Sequence, residues 1–373
     1  MKPKIWMSSP HMSGHERQFI DEAFETNWIA PLGPNVSGFE SDIKNYLNDD
    51  IHVAALSSGT AAIHLGLILL GVTRGDEVIC QSKTFSASAN PIIYQGATPI
   101  FVDSERDTWN ICPDQLEVAI NHRISKGKKP KAIIAVHLYG MPYKVDAINA
   151  VAQKYNIPVL EDSAEALGST YKDKKCGTFG AISILSFNGN KIITTSGGGA
   201  IITRDKEAKE KAIFLSTQAR DKAVEYHHSS IGYNYRMSNI VAGIGRGQMK
   251  ALDNHVALRR DRFKFYEDFF ANIDLVTTLK EPEGYFSNRW LSTILLKSQQ
   301  MREDLRLAFE AENIETRPLW KPMHMQPIFK DAPSYLNGIS EGLFNRGLCL
   351  PSGSNLTDSE LARISEVLTN FFG

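Results

Sequence analysis

Between residues 60 and 187 the chain alternates helix-length apolar segments with short apolar runs, and this alternation restricts the fold more than any other feature. Residues 60–70 predict a helix ending at Gly71, 77–80 a strand, and 86–94 a helix despite Pro91. Residues 98–102 predict a strand ending at Asp103, and 113–120 a helix with Pro113 in its first turn. A buried strand over 131–137, a helix over 144–155, and strands over 157–160 and 181–187 complete the series. Strands that are apolar throughout and separated by helices belong in a mainly parallel central sheet flanked by helices, an α/β fold. Such sheets bind ligands beyond the carboxyl ends of their strands.

The flanks read differently. Residues 13–26 predict a helix opened by a Ser13/Glu16 capping box, and 27–38, rich in Pro and Gly, predict a loop. After residue 252 the pattern shifts to a charged amphipathic helix over 253–273, a strand over 290–296, a helix over 301–313 and a short strand over 314–317. A closing helix over 357–372 starts with Thr357 and Glu360 as a capping box and carries Leu361, Ile364, Leu368 and Phe371 on one face. The division expected is a large domain over 1–252, including an N-terminal pocket segment, and a smaller α+β domain over 253–373.

Composition removes several function classes. A formal net charge of −1 gives no electrostatic case for nucleic acid or an anionic membrane. No run approaches the roughly 20 apolar residues of a membrane span, and residues 1–12 lack the apolar core of a secretion signal. Cys80, Cys112, Cys176 and Cys349 are widely spaced, which argues against a zinc site or a disulfide framework and for a reducing cytoplasm.

Three elements carry chemistry. Asp162, in Glu161-Asp162-Ser163-Ala164-Glu165, follows an apolar run, so a carboxylate falls at a strand's carboxyl end; a helix cap is the plainer alternative. Lys191 follows a buried strand and precedes Gly197-Gly198-Gly199. Desolvation there would lower its pKa and yield the nucleophilic amine that Schiff-base chemistry requires, although a solvated loop lysine fits the same spacing. Ser57-Ser58-Gly59-Thr60 opens an apolar helix, where small residues and the helix dipole suit an anion. Taken together, an amine, a carboxylate and an anion cradle are what pyridoxal 5′-phosphate needs: a lysine partner, an acid to keep the ring nitrogen cationic, and a phosphate site. Phe85, after the 77–80 strand, offers a ring to stack on the cofactor or serves as a core aromatic.

With these residues in place, the chain resembles the sugar aminotransferases of the DegT/DnrJ/EryC1/StrS family, fold-type I pyridoxal-phosphate-dependent transferases. The resemblance runs through Ser57-Ser58-Gly59-Thr60-Ala61-Ala62, Thr84-Phe85, His137-Leu138-Tyr139-Gly140, Glu161-Asp162, Gly177-Thr178-Phe179-Gly180, Ser186-Phe187 to Lys191, and Gly232-Tyr233-Asn234-Tyr235-Arg236. It implies that Lys191 joins the cofactor and serves as acid and base, that Asp162 binds the ring nitrogen and that Phe85 stacks on the ring. Ser58, Gly59, Thr60, Ser186 and Asn188 would line the phosphate and ring site, joined by Asn234 from the partner subunit of a homodimer. Glu165 stands where many relatives have Gln, near the ring hydroxyl.

Within the family the chain looks most like the bacillosamine-type branch, which aminates C4 of UDP-2-acetamido-2,6-dideoxy-4-keto-hexose. The segments that carry this are Asn27-Trp28-Ile29-Ala30-Pro31-Leu32-Gly33, Asn188 to Gly199, Ser216 to Arg220, and Glu315 to His324. By that resemblance Asn27, Trp28, Ile29, Ala30, Arg236, Arg317, Trp320 and His324 line the nucleotide-sugar pocket, with both arginines suited to diphosphate oxygens; packing between domains is the other reading of Arg317 and Trp320. L-Glutamate is the expected amino donor and ping-pong kinetics the expected pattern. Sugar 3-dehydratases of the same fold carry His where Lys191 stands. Amination of GDP-4-keto-6-deoxymannose to perosamine shares Lys191 and Tyr233-Asn234-Tyr235-Arg236, and a non-catalytic nucleotide-sugar-binding protein is a third possibility.

Overall fold

A computed structural model describes residues 2–373. Seven strands form most of the large sheet: β1 (His52–Leu56), β2 (Glu77–Gln81), β3 (Thr98–Val102), β4 (Ala132–Val136), β5 (Val159–Asp162), β6 (Ile182–Ser186) and β7 (Gly199–Thr203). Their spatial order is β1-β7-β6-β5-β4-β2-β3, and the short strand Ser334–Tyr335 adds to the far edge beside β3. The pairs from β6 across to Ser334–Tyr335 are parallel, whereas β7 runs antiparallel to both β6 and β1. The predicted parallel α/β sheet is therefore present, with an antiparallel edge that the sequence pattern did not reveal.

Both faces are covered. Helices Gly59–Leu69 and Ser86–Tyr94 pack on one face through Leu65, Leu67, Ala89 and Ile92. Helices Pro113–Ser125 and Val145–Lys154 cover the other through Leu116, Ile120 and Ile148. Two stretches depart from expectation. The end of the expected loop, from residue 34, instead opens helix Pro34–Leu47, in which Gly33 takes φ 145° as cap, Pro34 occupies the first turn, and Val36, Phe39, Ile43 and Leu47 form a buried stripe. The first helix begins at Glu16, not at 13. Glu16 is buried, and its carboxylate accepts from the Ser13 and Gly14 amides, the Ser13 hydroxyl and Gln248 Nε2, so it closes a turn ahead of the helix.

The C-terminal part builds a four-stranded antiparallel sheet, in the order Val276–Thr278, Ser292–Leu296, Gly347–Leu350, Arg317–Pro318. Helices Leu252–Phe269, Gln299–Ala311 and Asp358–Phe372 accompany it, and the Thr357/Glu360 capping box is formed as predicted. Ile5 packs into this core beside Phe309, Leu348 and Ile364, and exchanges backbone hydrogen bonds with residues 313 and 315. The chain around Ile5 thus packs with the C-terminal core. Residue 314 sits in that bridge to Ile5, and the paired strand expected over 314–317 is confined to Arg317–Pro318. Among the described residues no helix is long and apolar enough to cross a membrane, and the four cysteines are buried and free.

Candidate active site

A cavity of about 330 Å³ opens at the carboxyl ends of β5 and β6. Asp162 is the last residue of β5 and Ser186 the last of β6, so the parallel sheet itself delivers both side chains to the rim. Ser58, Gly59, Thr60, Phe85, Asp162, Glu165, Ser186, Asn188, Lys191 and Trp320 all line this one cavity. Residues read separately along 260 positions of sequence therefore meet in space.

The floor is an anion cradle. Ser58 caps helix Gly59–Leu69 by accepting the Ala61 amide at 3.0 Å, which leaves the amides of Gly59 and Thr60 without an intrahelical acceptor. The cradle depends on missing side chains. A Cβ at Gly59 would lie 2.9 Å from Ser186 Cβ, and one at Gly199 would lie 2.4 Å from the Ser58 carbonyl carbon. Only glycine permits the helix start, β6 and β7 to approach this closely.

The acid at the sheet end is held in place. Asp162 Oδ2 accepts from Ser88 Oγ at 2.7 Å, Ser88 meets Thr84 Oγ1 at 2.7 Å, and Asp162 Oδ1 accepts from the Ala164 amide. Burial raises the Asp162 carboxyl above the ordinary carboxylate range, opposed by the Ser88 and Ala164 hydrogen bonds and by the charge of Lys191.

Lys191 Nζ lies 3.5 Å from Glu165 Oε1 and 4.2 Å from the centre of the Trp290 ring. The amine, on a largely buried side chain, is thus set between a carboxylate and an aromatic face. Burial also raises the Glu165 carboxyl, while Lys191 and the Tyr139 amide oppose it. Tyr139 sits at φ 56°, a left-handed conformation for a residue with a Cβ. That conformation accompanies a 2.7 Å donation from its amide to Glu165 Oε2 and acceptance by its hydroxyl of the Trp320 amide. Phe85 and Trp320 face each other across the mouth, ring centres 6.3 Å apart.

The remaining expected residues do not reach the cavity in this chain. Asn234 is exposed and bonded to Gln218. Arg236 is committed elsewhere: its Nη1 donates to Glu40 Oε1 at 2.6 Å and to the Ala55 carbonyl at 2.9 Å, so it is not presented to a diphosphate here. Arg317 pairs with Glu315 and faces a separate cavity shared with Lys4 and Arg306. His324 is fixed between Ser82 and Glu341. Asn27, Trp28, Ile29 and Ala30 form an exposed turn, tied by Asn239 to the carbonyls of Trp28 and Ala30. Conversely, Ser88, Asn190 and Trp290 line the site unforeseen. Nothing local marks them, because each acquires its role from a partner that the fold brings up.

Pyridoxal phosphate fits these residues. The cradle would take a phosphate, Asp162 would offer an anion to a ring nitrogen, and Asn190 Oδ1 is a buried acceptor without a partner. A mainly parallel α/β sheet with a lysine, an acid and a helix N-terminus converging at its carboxyl edge defines a pyridoxal-phosphate-dependent enzyme of fold-type I. The profile of the DegT/DnrJ/EryC1/StrS aminotransferase family matches residues 10–369, and the chain belongs to that family. It is an aminotransferase, and pyridoxal phosphate is its cofactor. The Bacillus subtilis (strain 168) protein EpsN, provisionally named a pyridoxal phosphate-dependent aminotransferase, is 51% identical over 100% of this chain and 97% of its own length. GDP-perosamine synthase of Escherichia coli O157:H7 is 38% identical over 97% of each chain. A Streptococcus pneumoniae structure described provisionally as sugar aminotransferase Spr1654, PLP-form, superposes with a TM-score of 0.90 at 26% identity, covering 99% of this chain and 98% of its own.

Proposed function

We propose that the protein transfers an amino group from L-glutamate to C4 of a nucleotide-linked 4-keto-6-deoxy sugar, first among them UDP-2-acetamido-2,6-dideoxy-4-keto-hexose. The observation that carries this reading is the convergence of Lys191, Asp162 and the Ser58-capped helix start on one cavity. The cofactor supplies an aldehyde that condenses with amines and a ring that accepts the electron pair released when a carbon–hydrogen bond breaks.

The chain's own residues do the rest. Lys191 would carry a proton from the donor's Cα to C4′ of the cofactor in the first half of a ping-pong cycle and from C4′ to C4 of the sugar in the second, so one amine serves as base and then acid in each half. Asp162, steadied by Ser88 and Ala164, would keep the ring nitrogen cationic. Ser58, Gly59, Thr60 and Ser186 would hold the phosphate, with Asn188 beside them, and Phe85 would stack on the ring. Glu165 would face the ring hydroxyl. Trp320 closes the cavity over the sugar and limits entry of water.

Asn27 to Ala30, Arg317 and His324 would reach nucleotide only across a subunit boundary or after small-domain movement. The exposure of Asn234, Trp28, Ile29, Tyr226 and Ile231 supports a homodimer with shared sites. We infer a cytoplasmic enzyme acting on a soluble substrate. A second reading, amination of GDP-4-keto-6-deoxymannose, draws support from the relatives named GDP-perosamine synthase.

Incubation with glutamate and each nucleotide sugar, followed by mass and NMR analysis, tests both. The UDP-linked 4-amino product is expected from wild type and none from Lys191→Ala. Turnover confined to the GDP sugar selects the second reading, and activity retained by Lys191→Ala removes both.

A further inference from the structure

Lys191 lies outside any regular strand or helix, in a stretch running from β6 to β7. A catalytic amine in such a stretch holds its position only if the backbone before and after it is anchored. The carbonyls of Asn190 and Ile192 supply the two anchor points, and both trace back to one face of helix Leu252–Phe269. His255 and Arg259, four residues apart on that helix, project toward the same segment. His255 Nδ1 donates to the carbonyl of Ile192, immediately after Lys191, at 3.3 Å. His11 stacks on the other side of the His255 ring, centres 4.6 Å apart.

Arg259 acts on the preceding peptide through two intermediaries. It is buried, and its hydrogen-bond acceptors are neutral. Nη1 donates to the carbonyls of Trp290 at 2.6 Å and Ser352 at 3.3 Å, and Nη2 donates to Ser8 Oγ at 3.0 Å. Ser8 Oγ and Trp290 Nε1 then both donate to one atom, the carbonyl oxygen of Asn190, at 2.8 and 2.7 Å. The same Trp290 presents its ring to Lys191 Nζ at 4.2 Å. A cation with no charged hydrogen-bond partner is costly to bury, and here two of the three residues it donates to, Trp290 and Ser8, bond in turn to the Asn190 carbonyl beside Lys191.

We propose that Arg259, with Ser8 and His255, is a positioning device for the catalytic lysine, and that the N-terminal segment is therefore a working part of the active site. The inference rests on the reading of Lys191 as the cofactor lysine. None of the three touches the cavity; they act by fixing the carbonyls of residues 190 and 192 and the plane of the Trp290 ring.

Ser8→Ala is the primary test, Ser8→Thr its rescue because the hydroxyl is retained, and Arg259→Lys a second probe that keeps the charge but loses the fork. In Ser8→Ala, kcat is expected to fall about tenfold or more while KM for glutamate and for the keto-sugar stays within about twofold, because geometry and not ground-state binding is disturbed. The visible circular dichroism of bound pyridoxal phosphate, per cofactor, is expected to drop by about half, with the melting temperature within about 3 °C of wild type. Ser8→Thr restores both signals, and Arg259→Lys changes them in the same direction. Wild-type kcat and dichroism in Ser8→Ala, or a change confined to KM, overturns the proposal. Failure of the wild-type protein to link pyridoxal phosphate at Lys191 instead overturns the functional reading beneath it.

Discussion

Replacing Glu161 by Gln removes one oxygen acceptor from the most heavily bonded carboxylate described above or below the sheet plane. Its Oε1 accepts from His137 Nε2, Ser163 Oγ and the Gly177 amide, and its Oε2 from the Phe179 and Gly180 amides and Ser183 Oγ. His137 Nδ1 accepts from the Tyr143 amide, which fixes the proton on Nε2. Whichever way the Gln amide turns, its NH₂ faces two N–H donors that cannot reorient; the serine hydroxyl on that side can. Two unsatisfied buried donors cost about 2–6 kcal/mol. The acidity of the carboxyl reflects the same hydrogen bonds. Burial raises the Glu161 carboxyl, but His137, Ser183 and Gly177 outweigh it and hold the group near 2 against a reference of 4.5. That displacement corresponds to about 3 kcal/mol at neutral pH.

For a chain of 373 residues the loss should lower the melting temperature by about 3–8 °C. The sign of the pH dependence follows from a depressed folded-state pKa. The wild-type advantage over Glu161→Gln is complete above about pH 4.5 and disappears as pH falls toward about 2. Thermal melts of both proteins at pH 7, 4 and 3 measure it. Equal melting temperatures at pH 7, or a gap that does not change with pH, would refute the reasoning. Cys176 also lies within 4.8 Å of this His137–Glu161 pair, but the carboxylate oxygens are already taken by six protein donors, so the cluster is a structural anchor for residues 177–180 and for β5.

Three further outcomes are expected. Gly199→Ala, whose Cβ would lie 2.4 Å from the Ser58 backbone, should destabilise by about 1–3 kcal/mol and weaken cofactor affinity, whereas Gly342→Ala, with open space around it and away from the cavity, should do neither; calorimetry and fluorescence titration with pyridoxal phosphate separate them. Asp162→Asn should keep the fold and lower kcat by on the order of 10²–10³, read in steady-state assays with both substrates. Arg236→Met leaves Glu40 without its 2.6 Å partner and should lose about 3 kcal/mol in urea unfolding with sugar KM within about twofold; a large KM rise without destabilisation would return Arg236 to the substrate pocket.

The sheet and the polar centre were legible because they rest on local rules. Apolar runs such as 132–136 declare a strand buried on both faces, and Asp162 and Lys191 declare chemistry by standing at the ends of such runs. Helix Pro34–Leu47 was hidden by Pro34 and Gly33, read as breakers although they start the helix and its stripe of Val36, Phe39, Ile43 and Leu47 lay beyond them. The pairing of Arg236 was not legible because a guanidinium in sequence has no address; its partner, Glu40, is almost 200 positions away. Trp290 and Ser88 went unseen for the same reason, since their meaning comes entirely from Lys191 and Asp162 across the fold.

The account stands on Lys191 being the one covalent attachment point, in a cavity it shares with Asp162 and Glu165. Borohydride reduction of the purified protein with pyridoxal phosphate, followed by proteolysis and peptide mass analysis, examines it directly. One phosphopyridoxyl group should be found on the peptide containing Lys191 and be missing in Lys191→Ala. Label on a different lysine, or none at all, would contradict the account.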